Sequence, residues 1–162
     1  MPQQEQPDAR PWVPDRPSVR SLGRAVQDCR GCELWEDAVK HFRFEQRGRR
    51  RIHRSPELRH LVACHPWLEA ELGVVDPDVV VCLGTSAGRA VLGRPVRIGA
   101  ERGTVMEGPG GRDAVVTTHP SAVLRLRARE GYDEAFAALV DDLRTAGAAG
   151  TGRDTTRTGD DG

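Results

Sequence analysis

Lysine is almost missing from this chain: of its 24 Lys and Arg side chains, only Lys40 carries an ammonium. The other cations are guanidiniums, which keep their charge and offer two parallel donors to a phosphate. Also missing are any apolar run long enough to span a membrane and any signal-peptide core, so a cytoplasmic protein with no membrane partner is expected. In that compartment the four cysteines favour metal or redox chemistry over a disulfide framework. No excess of one charge exists either, because 24 acidic side chains bring the formal net charge to zero. That balance argues against a general polyanion binder. There is no internal repeat.

Apolar residues are sparse at both ends. "MPQQEQPDARPWVPDRPSVR" is dense in Pro, Gln and Arg, and "AGAAGTGRDTTRTGDDG" is small and polar. Neither can bury enough surface to offset its ordering entropy. Residues 1–20 and 147–162 are therefore expected to be disordered tails around one folded domain, 21–146, of ~120 residues.

Within that span, Ser18 is a cap candidate for a helix that runs into Cys29, with Leu22, Val26 and Ala25 on its apolar face. "SPELRHLVACHPWLEAELGVVDPD" predicts a helix capped by Ser55, with Pro56 at its first position and Leu58, Leu61, Val62, Leu68 and Leu72 at helical period. Pro66 is expected to kink or split it. "DVVVCLG" (78–84) reads as a buried parallel strand, and "TSAGRAVLG" as the helix after it. The scheme repeats with a strand over Ala114–Thr118, the loop His119-Pro120-Ser121 and a helix; "YDEAFAALVDDLRTAG" closes the chain as an amphipathic helix. Such alternation predicts an α/β fold around a parallel sheet, with ligands at the carboxyl ends of the strands.

Three groups of residues carry chemistry. The stripe 43–54 is cationic apart from Glu45, and "RGRRRIHRSP" sets His53 against Arg49, Arg50 and Arg51. It reads either as a phosphate-facing loop or as a solvated basic surface. Cys29-x-x-Cys32 supplies two sulfurs, and the Arg-Gly between them gives a tight turn. Two cysteines cannot close a tetrahedral site; Cys64 is a third donor, and His41, His60 and His65 are candidates for a fourth. The pattern does not separate zinc from an iron–sulfur cluster. Cys82, inside an apolar strand, reads as a small buried hydrophobe. His119 is either a loop cap or a functional group at a strand end. Ser121 either donates to a phosphate or caps the next helix.

Taken in order, "CRGCELW", "AVKHFRF", "RGRRRIHRSP", "VACHPWLEAEL", "VVVCLGTSAGRAVLG" and "VVTTHPSAVLR" resemble the iron–sulfur uracil-DNA glycosylases, and most of all their X-type subgroup, over about residues 20–145. The resemblance implies an α/β/α sandwich of three layers around a short parallel sheet. It implies flipping of uracil out of DNA and cleavage of the N-glycosidic bond. His119 would stabilise the departing uracilate, and His53 would attack the sugar carbon and join the protein covalently to the abasic DNA. Arg49, Arg50, Arg51, Ser121 and Arg125 would hold DNA, single-stranded or uracil-containing, by a monomer. Cys29, Cys32, Cys64 and, in place of a fourth cysteine, His41 would ligate a [4Fe–4S] cluster, with zinc as the alternative metal.

One departure accompanies the match. In the family a block of some tens of residues separates the first cysteine pair from the "AVKHF" segment, carrying the first strand and the loop that lines the active site. Here that block is absent between Ala38 and Val39, and Asp37 stands where an asparagine would read the uracil edge. A carboxylate cannot supply the amide's donor. The fold is thus expected to be truncated relative to the family, and the chemistry weakened or lost, leaving a DNA-binding remnant as the competing reading. A small zinc-binding nucleic-acid module is the reading that ignores the family.

Overall fold

The computed structural model describes residues 8–32, 34 and 43–151. The chain divides into two compact units, Met1–Asp76 and Pro77–Gly162. Asp76 ends the first in a left-handed conformation (φ 45°), which Asp tolerates better than most residues, and Pro77 prevents the helix from continuing.

The first unit is built on two helices. Ser18 caps α1 (Val19–Ala25) through a reciprocal capping box with Ser21, and a 3-10 turn, Val26–Asp28, carries the chain to Cys29. Helix α2 (Leu58–Val75) starts later than its Ser-Pro signal suggests, because Glu57 is its cap: the Glu57 side chain accepts from the His60 N–H, while the His60 ring accepts from the Glu57 N–H. Pro66 lies inside α2 without splitting it. The helix also buries a different face from the one its leucines mark. His60, Ala63 and Trp67 are buried, whereas Leu58 and Val62 are exposed. Small Ala63 lets the chain pass close by, and its carbonyl accepts the Ala9 N–H at 2.8 Å.

Residues 8–20, whose composition reads as tail, are thus drawn into this unit. Ala9 is fully buried and packs with Leu22, Cys29 and Trp67, flanked by Trp12 and Val13. Between α1 and α2 stands an antiparallel hairpin, β1 (Phe44–Arg47) and β2 (Arg50–His53), in the register Phe44↔His53 and Arg47↔Arg50. Gly48 supplies the positive φ of its two-residue turn.

The second unit is an α/β/α sandwich. Strands β3 (Val79–Leu83) and β5 (Asp113–Thr117) pair in parallel, and the short β4 (Val105–Glu107), which composition did not reveal, adds antiparallel to the far side of β5. On one face Val80, Cys82 and Val116 pack with Val96 and with Ala87 and Val91 of α3 (Thr85–Leu92). A methyl at Gly88 would come within 2.7 Å of Val96, so α3 needs glycine to lie this close. The other face meets α6 (Tyr132–Thr151): the Thr117 hydroxyl bonds Asp142, and Gly150 lies against Val79. Helix α6 continues past residue 146, into the stretch expected to be tail. Two short helices, α4 (Ile98–Glu101) and α5 (Pro120–Leu124), complete the unit. Among the described residues no helix is long and apolar enough to cross a membrane.

Candidate functional site

In the first unit three sulfurs share one neighbourhood. Cys29 and Cys32 are buried and Cys64 half-buried; Cys32 packs with Leu34, Ala63 and Cys64. Gly31 between the paired cysteines is required less by a turn than by close approach, since a methyl there would lie 2.7 Å from the Asp8 backbone. Burial first, and then the adjoining Cys32 and Cys29 thiols, push the Cys64 thiol up to about 12. The Trp67 indole donates to the Cys29 sulfur at 3.3 Å.

Among the described residues no three His, Cys, Asp or Glu side chains are drawn tightly enough to grip a metal ion as they stand. The sulfurs therefore form a neighbourhood rather than a closed coordination shell. Its chemistry still fits a thiophilic centre: crowded thiolates repel one another, and a bound cation removes that repulsion. His41, expected as the fourth ligand, lies outside the described residues, as do Asp37, Ala38 and Val39. Of the other histidines considered, His60 accepts the Glu57 N–H at Nδ1, and His65 faces Glu69 on the outer side of α2. Cys82 is buried in the other unit, in an apolar setting.

The basic hairpin sorts its own arginines. Glu45 accepts from both Arg47 (2.9 Å) and Arg54 (2.7 Å). Those bonds hold its carboxyl below the usual carboxylate range. Arg51 lies over the Phe44 ring, 4.7 Å from its centre. Arg43 binds the Ser55 carbonyl and Glu57. Arg49 and Arg50, exposed at the tip, pair with no acid among the described residues. The backbone of His53 ends β2, opposite Phe44; its side chain lies outside the described set.

In the second unit, β3 and β5 end side by side, Leu83 beside Thr117. Gly84 follows Leu83, and its N–H donates to the Thr117 carbonyl at 2.9 Å. His119 caps α5: its exposed ring accepts the Ser121 N–H at Nδ1, at 3.1 Å. A nitrogen that accepts carries no proton, so the neutral ring holds its proton on Nε2, on the side away from the helix. Ser121 is therefore not the cap; it sits in the first turn with its side chain exposed, and Arg125 is exposed at the end of α5. Beneath the loop lies a buried polar group that composition did not single out. Asp142 accepts from Thr117 and pairs with Arg102 at 2.9 Å. Its only advance signal is an acid at a core-facing position of an amphipathic helix.

Residues 13–144 match the family described as the uracil DNA glycosylase superfamily. Among curated proteins the chain is similar to a type-4 uracil-DNA glycosylase of Thermotoga maritima, 37% identical over 78 residues. That alignment covers 48% of this chain and 41% of the relative, so the match spans about two fifths of that protein's length.

Proposed function

The chain belongs to the uracil DNA glycosylase superfamily, and from that premise we propose that it is an iron–sulfur glycosylase of the X-type that binds uracil-containing DNA, by preference single-stranded, as a monomer. The observation that carries this reading is the rim where β3 and β5 end together, with Gly84 and the His119 loop side by side. Ligands of parallel sheets sit at such rims.

The target nucleotide leaves the stack, because its glycosidic carbon is out of reach within it. The bond from the sugar carbon to the uracil nitrogen breaks, and the electron pair departs with the base. His119, protonated at Nε2 and held by its bond from Ser121, donates to the carbonyl oxygen on which that charge gathers. His53 forms the new bond to the sugar carbon and releases its ring proton, which leaves a covalent protein–DNA adduct. In the first unit Arg49 and Arg50 hold phosphate beside the His53 imidazole, and in the second Ser121 and Arg125 hold phosphate beside His119.

Cys29, Cys32 and Cys64, with His41, would hold a [4Fe–4S] cluster that ties the N-terminal segment to α2. The block missing between Ala38 and Val39, and Asp37 in place of an asparagine, make excision slow in this reading.

The test is incubation of the purified protein with a uracil-containing single-stranded oligonucleotide, followed by denaturing electrophoresis. A protein–DNA band that survives denaturant and is lost in His53→Ala is expected. A brown protein that binds the oligonucleotide but yields neither band nor free uracil would leave a DNA-binding remnant. A colourless zinc protein would overturn the cluster.

A further inference from the structure

We propose that Trp67 is a positioning residue for the metal centre, its indole N–H donating to the metal-bound sulfur of Cys29. The inference rests on the reading that Cys29 is a ligand. Trp67 and Cys29 are 5% and 3% exposed, and the indole nitrogen lies 3.3 Å from the sulfur. An indole N–H can only donate, and when buried it needs an acceptor. A neutral thiol accepts weakly, whereas a thiolate bound to metal remains electron-rich and accepts well.

The surroundings leave the N–H little other purpose. Trp67 packs with Ala9, Leu22 and Cys29, an apolar group that a phenylalanine or leucine would also fill. Nitrogen is the one feature that those residues lack. Trp67 also follows Cys64 by three residues on α2, so a single helix carries one sulfur ligand and the donor to another. Hydrogen bonds to ligand sulfurs tune both the retention and the potential of a centre, because they draw electron density from the sulfur.

The experiment compares the metal-loaded full chain with its Trp67→Phe variant. The readouts are midpoint potential and the rate at which a chelator in excess removes the metal. Loss of the N–H should leave metal content equal, shift the potential to more negative values and speed metal release several-fold. The sign follows because the bond favours the more electron-rich, reduced state. Equal potentials and equal release rates would overturn the proposal. If Trp67→Phe fails to fold, benzothienylalanine at position 67 replaces N–H by sulfur in nearly the same shape, and the same two readouts decide. Wild-type protein that binds neither iron nor zinc would remove the ligand reading itself, an outcome distinct from a metallated protein indifferent to Trp67.

Discussion

Gly84 lies so close to His119 that a methyl on its Cα would sit 3.3 Å from the His119 Cβ. Gly84 also adopts φ 89° and ψ 176°, a region that only glycine enters readily. Both facts follow from two parallel strands that end in register and then turn away on the same rim. Gly84→Ala should therefore cost on the order of 1–3 kcal/mol through backbone strain, and push the His119 loop outward. Urea unfolding would measure the loss. An unchanged midpoint would mean that the rim accommodates a side chain after all.

Asp142 ties α6 to the strand that leads into this loop. Asp142 is 4% exposed, and its carboxylate accepts from the fully buried Thr117 hydroxyl and pairs with Arg102. Asp142→Ala strips the buried hydroxyl of its acceptor and the guanidinium, which keeps the Ala138 carbonyl, of its counter-ion, for an expected loss of about 3 kcal/mol. Asp142→Asn, which keeps an acceptor oxygen, should lose less. A double-mutant cycle with Thr117→Val isolates the hydroxyl bond, and a coupling of zero would show that the two residues are merely neighbours.

Much of this architecture is legible in the residues. The run Val79–Leu83 declares a parallel strand because both of its faces are apolar, although it lies at the sheet edge with Cys82 buried and Leu83 exposed. Ser18 declares a helix start because its hydroxyl meets a free N–H. What composition hides depends on partners distant along the chain. The strand Val105–Glu107 has only three residues and exists because β5 offers it an edge. Ala9 looks like tail until the Ala63 carbonyl takes its N–H. Helix α2 turns its small and aromatic residues inward instead of Leu58 and Val62, because the chain segment that covers it needs room. Cys29, Cys32 and Cys64 are legible as donors, whereas the indole beside them requires coordinates.

Cys82 makes the alkaline limb of stability testable. Burial in the core raises its thiol to about 11, against the ordinary value of 9.0. The fold thus favours the neutral thiol, and the unfolded chain ionises first. The contribution is fully present below about pH 9, shrinks as pH rises, and is gone by about pH 11. Every tenfold difference in acidity between the folded and the unfolded thiol corresponds to roughly 1.4 kcal/mol. Cys82→Ala should have lower stability at neutral pH, from the small cavity, but a shallower fall between pH 9 and 11. At pH 7.5 the native thiol should resist iodoacetamide and react only after denaturation, because the thiolate is the nucleophile. Parallel alkaline slopes for the two proteins would contradict the assignment.

The hairpin makes the sharpest statement about DNA, because its arginines are not equivalent. Glu45 already engages Arg47 and Arg54, whereas Arg49 and Arg50 at the tip pair with no acid among the described residues. A phosphate that approaches Arg47 must displace a carboxylate; one that approaches the tip displaces only water and counterions. Arg49→Ala and Arg50→Ala should each weaken binding of a single-stranded oligonucleotide and reduce the slope of log affinity against log salt by about 0.7. Arg47→Ala should change the slope less. Glu45→Gln should strengthen binding, since it releases two guanidiniums and removes a negative charge from the hairpin. Fluorescence anisotropy over a sodium chloride series measures all four variants. If the two tip variants keep the wild-type slope while Arg47→Ala loses it, phosphate is held along the sides of the hairpin and not at its turn.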